Sequence, residues 1–498
     1  MVRRTFLGQL AGAALMARSA SLPPKSNVLT SLLSSDSPAG SAYTFPKGFL
    51  LGSSTASYQV EGAWNVDGKE ESIWDRFAHT QGRIRQGDTG DVACDQYHRY
   101  REDIAILKQL HQTSYRFSIS WPRVQSSTTG KPIPAGLDYY DRLTDGLLEA
   151  GIRPLCTLYH WDLPRAILER GGWLKREMVD WFASYVELVA ARLSDRIVNW
   201  AVMNEPWIFL YLGYANGTHP PGGRSFTEYL RAAHIANLTH AQAVAVLRSH
   251  SAKASVGSAY NMAPAQPATT RPADIAAAAR YHATNSVYFL EAAMSGKYPG
   301  FLSTDKTLAL MDFRPGDAER MRAPLDWIGI NYYKRVIVRD GAPDTALDLP
   351  TVNGSPGTEG ALTANAWEVW PDGLREIVVQ ISREYPGVPI EITENGCSYL
   401  DAPAPGALPR VHDDRRIHYH REHLLALGRA IEQGANVRAY HAWSLLDNLE
   451  WQDGFTQRFG LVYVDFKTQQ RVIKDSGHWY GRVAATGVVE RGTDLTST

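Results

Sequence analysis

The chain has 498 residues, with 51 Lys and Arg against 52 Asp and Glu, and 44% of it is hydrophobic. That length supports one large core or two ordinary ones. The near-neutral balance speaks against a nucleic-acid or anionic-membrane partner, since either calls for a basic face.

The first 20 residues, MVRRTFLGQLAGAALMARSA, stand apart. Two arginines, then Thr5-Phe6-Leu7, a mildly apolar run from Leu10 to Ala17 and small residues make the layout of a secretory signal. The order resembles a twin-arginine signal. Export to the periplasm or the exterior is expected, with the cytoplasm as the alternative. The apolar run is too short to span a bilayer, and no other stretch is long enough, so no membrane insertion is expected. Residues 21–42, rich in Ser, Pro and Ala, read as a flexible linker. Residues 43–485 read as the folded domain and 486–498 as a C-terminal tail.

Short apolar runs then alternate with stretches of helical period. The expected strands are Phe49–Ser53, Tyr115–Ile119, Arg153–Tyr159, Asn199–Asn204, Ser255–Ala259, Trp327–Asn331, Pro389–Thr393 and Val437–Trp443. Between two of them, Val179, Phe182, Val186, Val189 and Leu193 recur at helical steps. Eight strands, each followed by a helix, predict an α/β fold: a (β/α)8 TIM barrel of one domain. A doubly wound sheet is the rival, weakened by the lack of a glycine-rich turn after the first strand. Residues 341–366, rich in Gly, Pro and Thr, read as a long loop. Cys94, Cys156 and Cys397 fit neither a zinc pattern nor a disulfide framework.

A barrel demands that functional side chains gather at the C-terminal ends of its strands. Polar and aromatic residues stand there: Tyr58-Gln59, Arg116, His160-Trp161-Asp162, Asn204-Glu205, Asn331-Tyr332-Tyr333, Glu394 and Trp443. Glu205 ends the fourth strand and Glu394 the seventh, on roughly opposite arcs of the ring. Either glutamate alone reads as a helix cap or a salt-bridge partner. Two carboxylates facing across one mouth are the equipment for glycosidic bond cleavage, one protonated and one ionised.

Nearly the whole chain beyond the linker carries motifs in one family's order. They are FPKGFLLGSSTASYQVEG (45–62), YRFSISWPR (115–123), TLYHWDLP (157–164), MNEP (203–206), GINYY (329–333), ITENG (392–396), WSLLDNLEW (443–451) and RFGLVYVDF (458–466). Together they resemble glycoside hydrolase family 1, the β-glucosidase and β-galactosidase group. The resemblance implies a (β/α)8 barrel and a retaining mechanism, with Glu394 as nucleophile, Glu205 as acid/base and their carboxyls about 5–5.5 Å apart.

It implies further that Arg116 keeps Glu394 ionised and that Tyr333 and Asn331 support it. Asn204 would contact the sugar 2-hydroxyl. Gln59, His160 and Glu450 would bind ring hydroxyls, Trp443 would underlie the ring, and Trp451 would donate. Trp367 would line the leaving-group site, with Trp161 and Phe459 completing the substrate-binding set. No cofactor or metal is implied. The expected partners are small β-glucosides or cello-oligosaccharides, with β-galactosides or β-fucosides as side substrates. Oligomeric state is unreadable. A transglycosidase and a non-catalytic glycan-binding barrel are the alternatives.

Three stretches depart from the family pattern. Leu449 stands where NFEW is usual and is expected to loosen packing near the 6-hydroxyl. GKEES (68–72) replaces GKGPS and is expected to alter a loop near the mouth. Glu391 stands where apolar or aromatic residues are commoner. Strand alternation sets Glu394 with Ile392 and Glu391 with Thr393, so Glu391 is expected to face the helix ring in a structural role.

Overall fold

The computed structural model describes residues 42–341, 352–404 and 409–491. The proposed signal and all but the last residue of the linker lie outside them.

Eight parallel strands close into a barrel. They are β1 (Leu50–Ser54), β2 (Ser114–Ser118), β3 (Arg153–Tyr159), β4 (Asn199–Asn204), β5 (Ser255–Asn261), β6 (Ile328–Tyr332), β7 (Ile390–Asn395) and β8 (Val437–Trp443). Each pairs with its sequence neighbour, and β8 returns to β1. The expected strands are all present. β1, β2 and β6 shift by one residue, β5 runs on to Asn261, and β7 continues two residues further, so that Glu394 lies within it. Every residue of β2, β4, β6 and β7 is buried, as expected for parallel strands covered on both faces.

Outer helices α1 (Gln96–Gln109), α2 (Pro134–Glu149), α3 (Met178–Leu193), α4 (Phe226–His250), α5 (Tyr288–Ser295), α6 (Pro371–Glu384), α7 (Asp414–Glu432) and α8 (Asp475–Thr486) follow the strands in turn. In α3 the predicted stripe Val179, Phe182, Val186, Val189 and Leu193 is buried. The start of α4 is capped by Ser225, whose side chain accepts from the Glu228 N–H.

Two expectations about boundaries are corrected. Residue 485 lies inside α8, and Val488–Glu490, read as tail, pairs antiparallel with Ala42–Thr44. The stretch read as one long loop contains Val352–Pro356, which pairs with Val336–Asp340; a third strand, Ala265–Pro267, completes this small sheet beside the barrel.

Inside the barrel, charged side chains sit beside packed apolar ones. Leu155, Ala201 and Trp327 pack together. Gly257 is glycine for a steric reason, since a Cβ there would meet the Trp327 ring at 2.4 Å. Glu391 sits beneath the mouth, fully buried, and accepts from Arg438 Nε at 2.7 Å. Arg438 also reaches Ser255 on β5, and the charges of Arg153 on β3 and Arg116 on β2 act on Glu391. Glu391 therefore faces inward, and the alternation argument fails. The cause is a register break between Ile392 and Glu394 against β6. The extra residue, Thr393, resets the alternation, so Glu391 and Glu394 share the inner face.

Candidate active site

Glu394 is held from two sides. Arg116 Nη1 donates to its Oε1 at 2.5 Å, and the Tyr333 phenol donates to its Oε2 at 2.7 Å. Arg116 is itself fixed by Thr157 Oγ1 at 3.1 Å and by Asn204 Oδ1 at 2.7 Å. Burial pushes Glu394 above the ordinary carboxylate range, while Arg116, Tyr333 and Asn331 pull it down. The balance stays on the raised side, with Arg116 the strongest of the groups that favour the ionised form. Burial, seconded by the Glu394 charge, also holds the Tyr333 phenol neutral and able to donate.

Glu205 begins where β4 ends, in left-handed backbone at φ 46°. It receives a hydrogen bond from Asn331 Nδ2 at 2.8 Å. The same amide also bonds Asn204 at 3.0 Å and lowers the cost of charge on Glu394. Asn331 thus serves both carboxyls. Burial first, and then the Glu394 charge, push Glu205 well above the usual range. Among the described residues Glu205 has no cation in hydrogen-bond contact, whereas Glu394 has Arg116. A single negative charge on the pair therefore resides on Glu394, and a single proton on Glu205.

The other predicted residues gather around this pair. Asn204 Nδ2 donates to His160 Nε2 at 2.9 Å, which leaves His160 Nδ1 buried with no partner among the described residues. Burial and the Arg116 charge keep that imidazole neutral. Gln59 spends its amide on Asn448 Oδ1 and the Leu449 carbonyl, and its Oε1 is likewise unpartnered. A free buried donor and a free buried acceptor at one mouth suit a polyhydroxylated ligand. Glu450 accepts from Trp443 Nε1 at 3.2 Å, and burial pushes its carboxyl up to about 8.

Aromatic rings wall the chamber. Trp443 and His160 stack with centroids 6.0 Å apart, and Trp451 packs at 4.4 Å against Trp161. Trp161, Glu205 and Trp451 all hold positive φ without being glycine. Such backbone strain at three neighbouring site residues persists only where the surroundings enforce it. Leu449 is fully buried in the main core. In the GKEES stretch, Glu70 receives the Ser127 N–H and Glu71 pairs with Arg165, tying that loop to its neighbours.

Trp367 and Phe459 lie on the outer side, with rings 6.1 Å apart and each near Tyr333. Beyond them a cavity of about 540 Å³ opens beside Glu205. Sequence reasoning missed several of its walls: Trp207, Tyr211, Met262 and Lys334. The i, i+4 spacing of Trp207 and Tyr211 directly after MNEP was the available signal, and their rings stack at 4.6 Å.

A closed parallel barrel with two buried carboxyls at its mouth, one favoured as acid and one as anion, defines the class: a glycoside hydrolase. The chain matches glycosyl hydrolase family 1 over residues 41–488 and belongs to that family. It is an O-glycoside hydrolase. It is 40% identical to β-glucosidase A of Thermotoga maritima over 90% of this chain and 99% of that one. It is 41% identical to a bifunctional β-D-glucosidase/β-D-fucosidase of Bifidobacterium breve, covering 89% and 98%. The solved family 1 β-glucosidase of T. maritima superposes with a TM-score of 0.84, at 40% identity, over 91% of this chain and all of that one. A β-glucosidase from T. maritima solved in complex with glucoimidazole gives 0.83 at 40% identity, covering 89% and 99%.

Proposed function

We propose that the protein is a β-glucosidase releasing terminal β-D-glucosyl residues from small β-glucosides, cello-oligosaccharides among them, by double displacement. The observation that carries this reading is the asymmetric pair: Glu394 bound by Arg116 and Tyr333, and Glu205 bound by a neutral amide. Glu394 attacks the anomeric carbon as the bond to the leaving oxygen breaks, and Glu205 gives that oxygen its proton. The sugar is left as an ester on Glu394. Glu205, now ionised, takes a proton from water, whose oxygen attacks the same carbon and frees Glu394. Asn204, Gln59, His160, Glu450, Trp443 and Trp451 bind the sugar, and Trp367 faces the leaving group. The glucosidase/fucosidase relative supports β-fucosides as side substrates.

The test is trapping with an activated 2-deoxy-2-fluoro-β-glucoside, followed by peptide mass spectrometry. A fluoroglucosyl adduct on Glu394 is expected. An adduct on Glu391 or Glu205, or none with a substrate that is turned over, overturns the assignment.

The Arg3-Arg4-Thr5-Phe6-Leu7 order supports export, with residues 1–20 as a removable signal. N-terminal sequencing of secreted protein should begin near residue 20; an intact Met1 in a wholly cytoplasmic protein overturns this.

A further inference from the structure

Lys334 takes no part in the chemistry proposed above. It follows Tyr333 directly, so the residue next to the nucleophile's phenol partner lines the outer cavity. Its Nζ lies 4.9 Å from the centre of the Trp367 ring. Among the described residues no carboxylate pairs with it. The neighbouring Arg335, in contrast, is bound by Glu368 at 2.8 Å and Glu359 at 3.0 Å. Glu205 is the only acidic residue among the described residues lining the cavity.

The rest of that cavity is largely flat and apolar, with Trp207 stacked on Tyr211 along one wall and Trp367 packed beside Tyr333 along the other. A half-buried ammonium without a counter-charge is a standing cost that a neutral ligand would not relieve. Cation–π contact with Trp367 recovers only part of it. Burial lowers Lys334 to about 8, so it is still mostly charged near neutral pH. A ligand carboxylate would complete the pair.

We propose that this cavity selects β-glucosides whose aglycone is an aromatic ring bearing a carboxylate, with Lys334 as the specificity-determining residue. The inference rests on the β-glucosidase reading. The aryl ring would lie between the aromatic walls, and the carboxylate would accept from Nζ.

The test compares kcat/KM for 4-carboxyphenyl, 3-carboxyphenyl and 4-(2-carboxyvinyl)phenyl β-glucosides, each against its own carboxamide, near pH 6.5 at low salt. The amides match the acids in shape and nearly in leaving-group strength. For the best-fitting pair the acid should be preferred by about three- to tenfold, a range set by one partly screened charged contact. Added salt should shrink the preference. Lys334→Met should bring the ratio to about one, and Lys334→Arg should keep it. The inference is overturned if no acid outperforms its amide in the wild type, or if the preference survives in Lys334→Met. Turnover of 4-nitrophenyl β-glucoside by the wild type separately tests the underlying reading, since it involves no anionic aglycone.

Discussion

Arg116 Nη1 lies 2.5 Å from Glu394 Oε1, with the Arg116 side chain fully buried and that of Glu394 5% exposed. At that distance the pair is a charge-assisted hydrogen bond in a low-dielectric site, where it is worth more than in water. Arg116→Gln should therefore raise the Glu394 pKa further. In the proposed mechanism the acid limb of the pH–rate profile reports ionisation of that carboxyl, so it should move to higher pH, with kcat lowered. An acid limb left in place would show that Arg116 does not act through Glu394.

Glu394→Ala should abolish hydrolysis of aryl β-glucosides. Losses on the order of 10⁴–10⁶ accompany removal of catalytic nucleophiles elsewhere. Azide should restore part of the rate by entering the space the side chain vacates, giving a glucosyl azide of inverted configuration. Near-normal turnover without azide would exclude Glu394 as nucleophile.

Glu205→Gln should cut turnover of substrates with poor leaving groups by about 10²–10⁴ and spare activated ones in the first step. Glu205 must be protonated to act as acid, and its pKa is raised. Wild-type activity should therefore fall as pH rises through that raised value. The alkaline limb should disappear in the variant when an activated substrate is used under conditions where glycosylation limits the rate. Equal losses across leaving groups would contradict the acid/base assignment.

Glu391 and Arg438 should behave as one structural unit. Glu391→Leu leaves an arginine in the barrel base without its partner. Removing one member of a fully buried pair costs about 3–5 kcal/mol. Arg438 keeps 30% of its side chain exposed, so about 2 kcal/mol is expected here. Replacing both residues by apolar ones should cost less than the two single changes added together, as read by chemical denaturation. Simple additivity would show that the two side chains are energetically independent.

The fold was legible in the sequence because parallel strands buried on both faces read as dense apolar runs, and the expected strands lie within one or two residues of the observed ones. The site was legible because a barrel brings strand ends to one mouth, which unites Gln59, Arg116, Asn204, Glu205 and Glu394 from distant parts of the chain. Glu391 was misread because alternation assumes an unbroken pleat, and one extra residue, Thr393, breaks it. No feature of ITENG marks a bulge. The pairing of Val488–Glu490 with Ala42–Thr44 went unseen because three-residue strands carry too little periodicity to detect. Lys334 was passed over because a single cation after two tyrosines has no pattern; only the surrounding cavity gives it meaning.

The segment that begins at β6 passes through Tyr333 and Lys334 and then leaves the ring to become Val336–Asp340, the central strand of the small outlying sheet. One edge of the outer cavity, at Gly354, Ser355 and Pro356, is built from that sheet, while Glu205 and Glu394 stand on barrel strands or their ends. The outlying hairpin can therefore lengthen, shorten or change composition while the bond-breaking pair keeps its scaffold. In evolutionary terms, one edge of the outer cavity is carried by an appendage, and a laboratory library confined to residues 352–356 would vary that edge without touching either carboxyl.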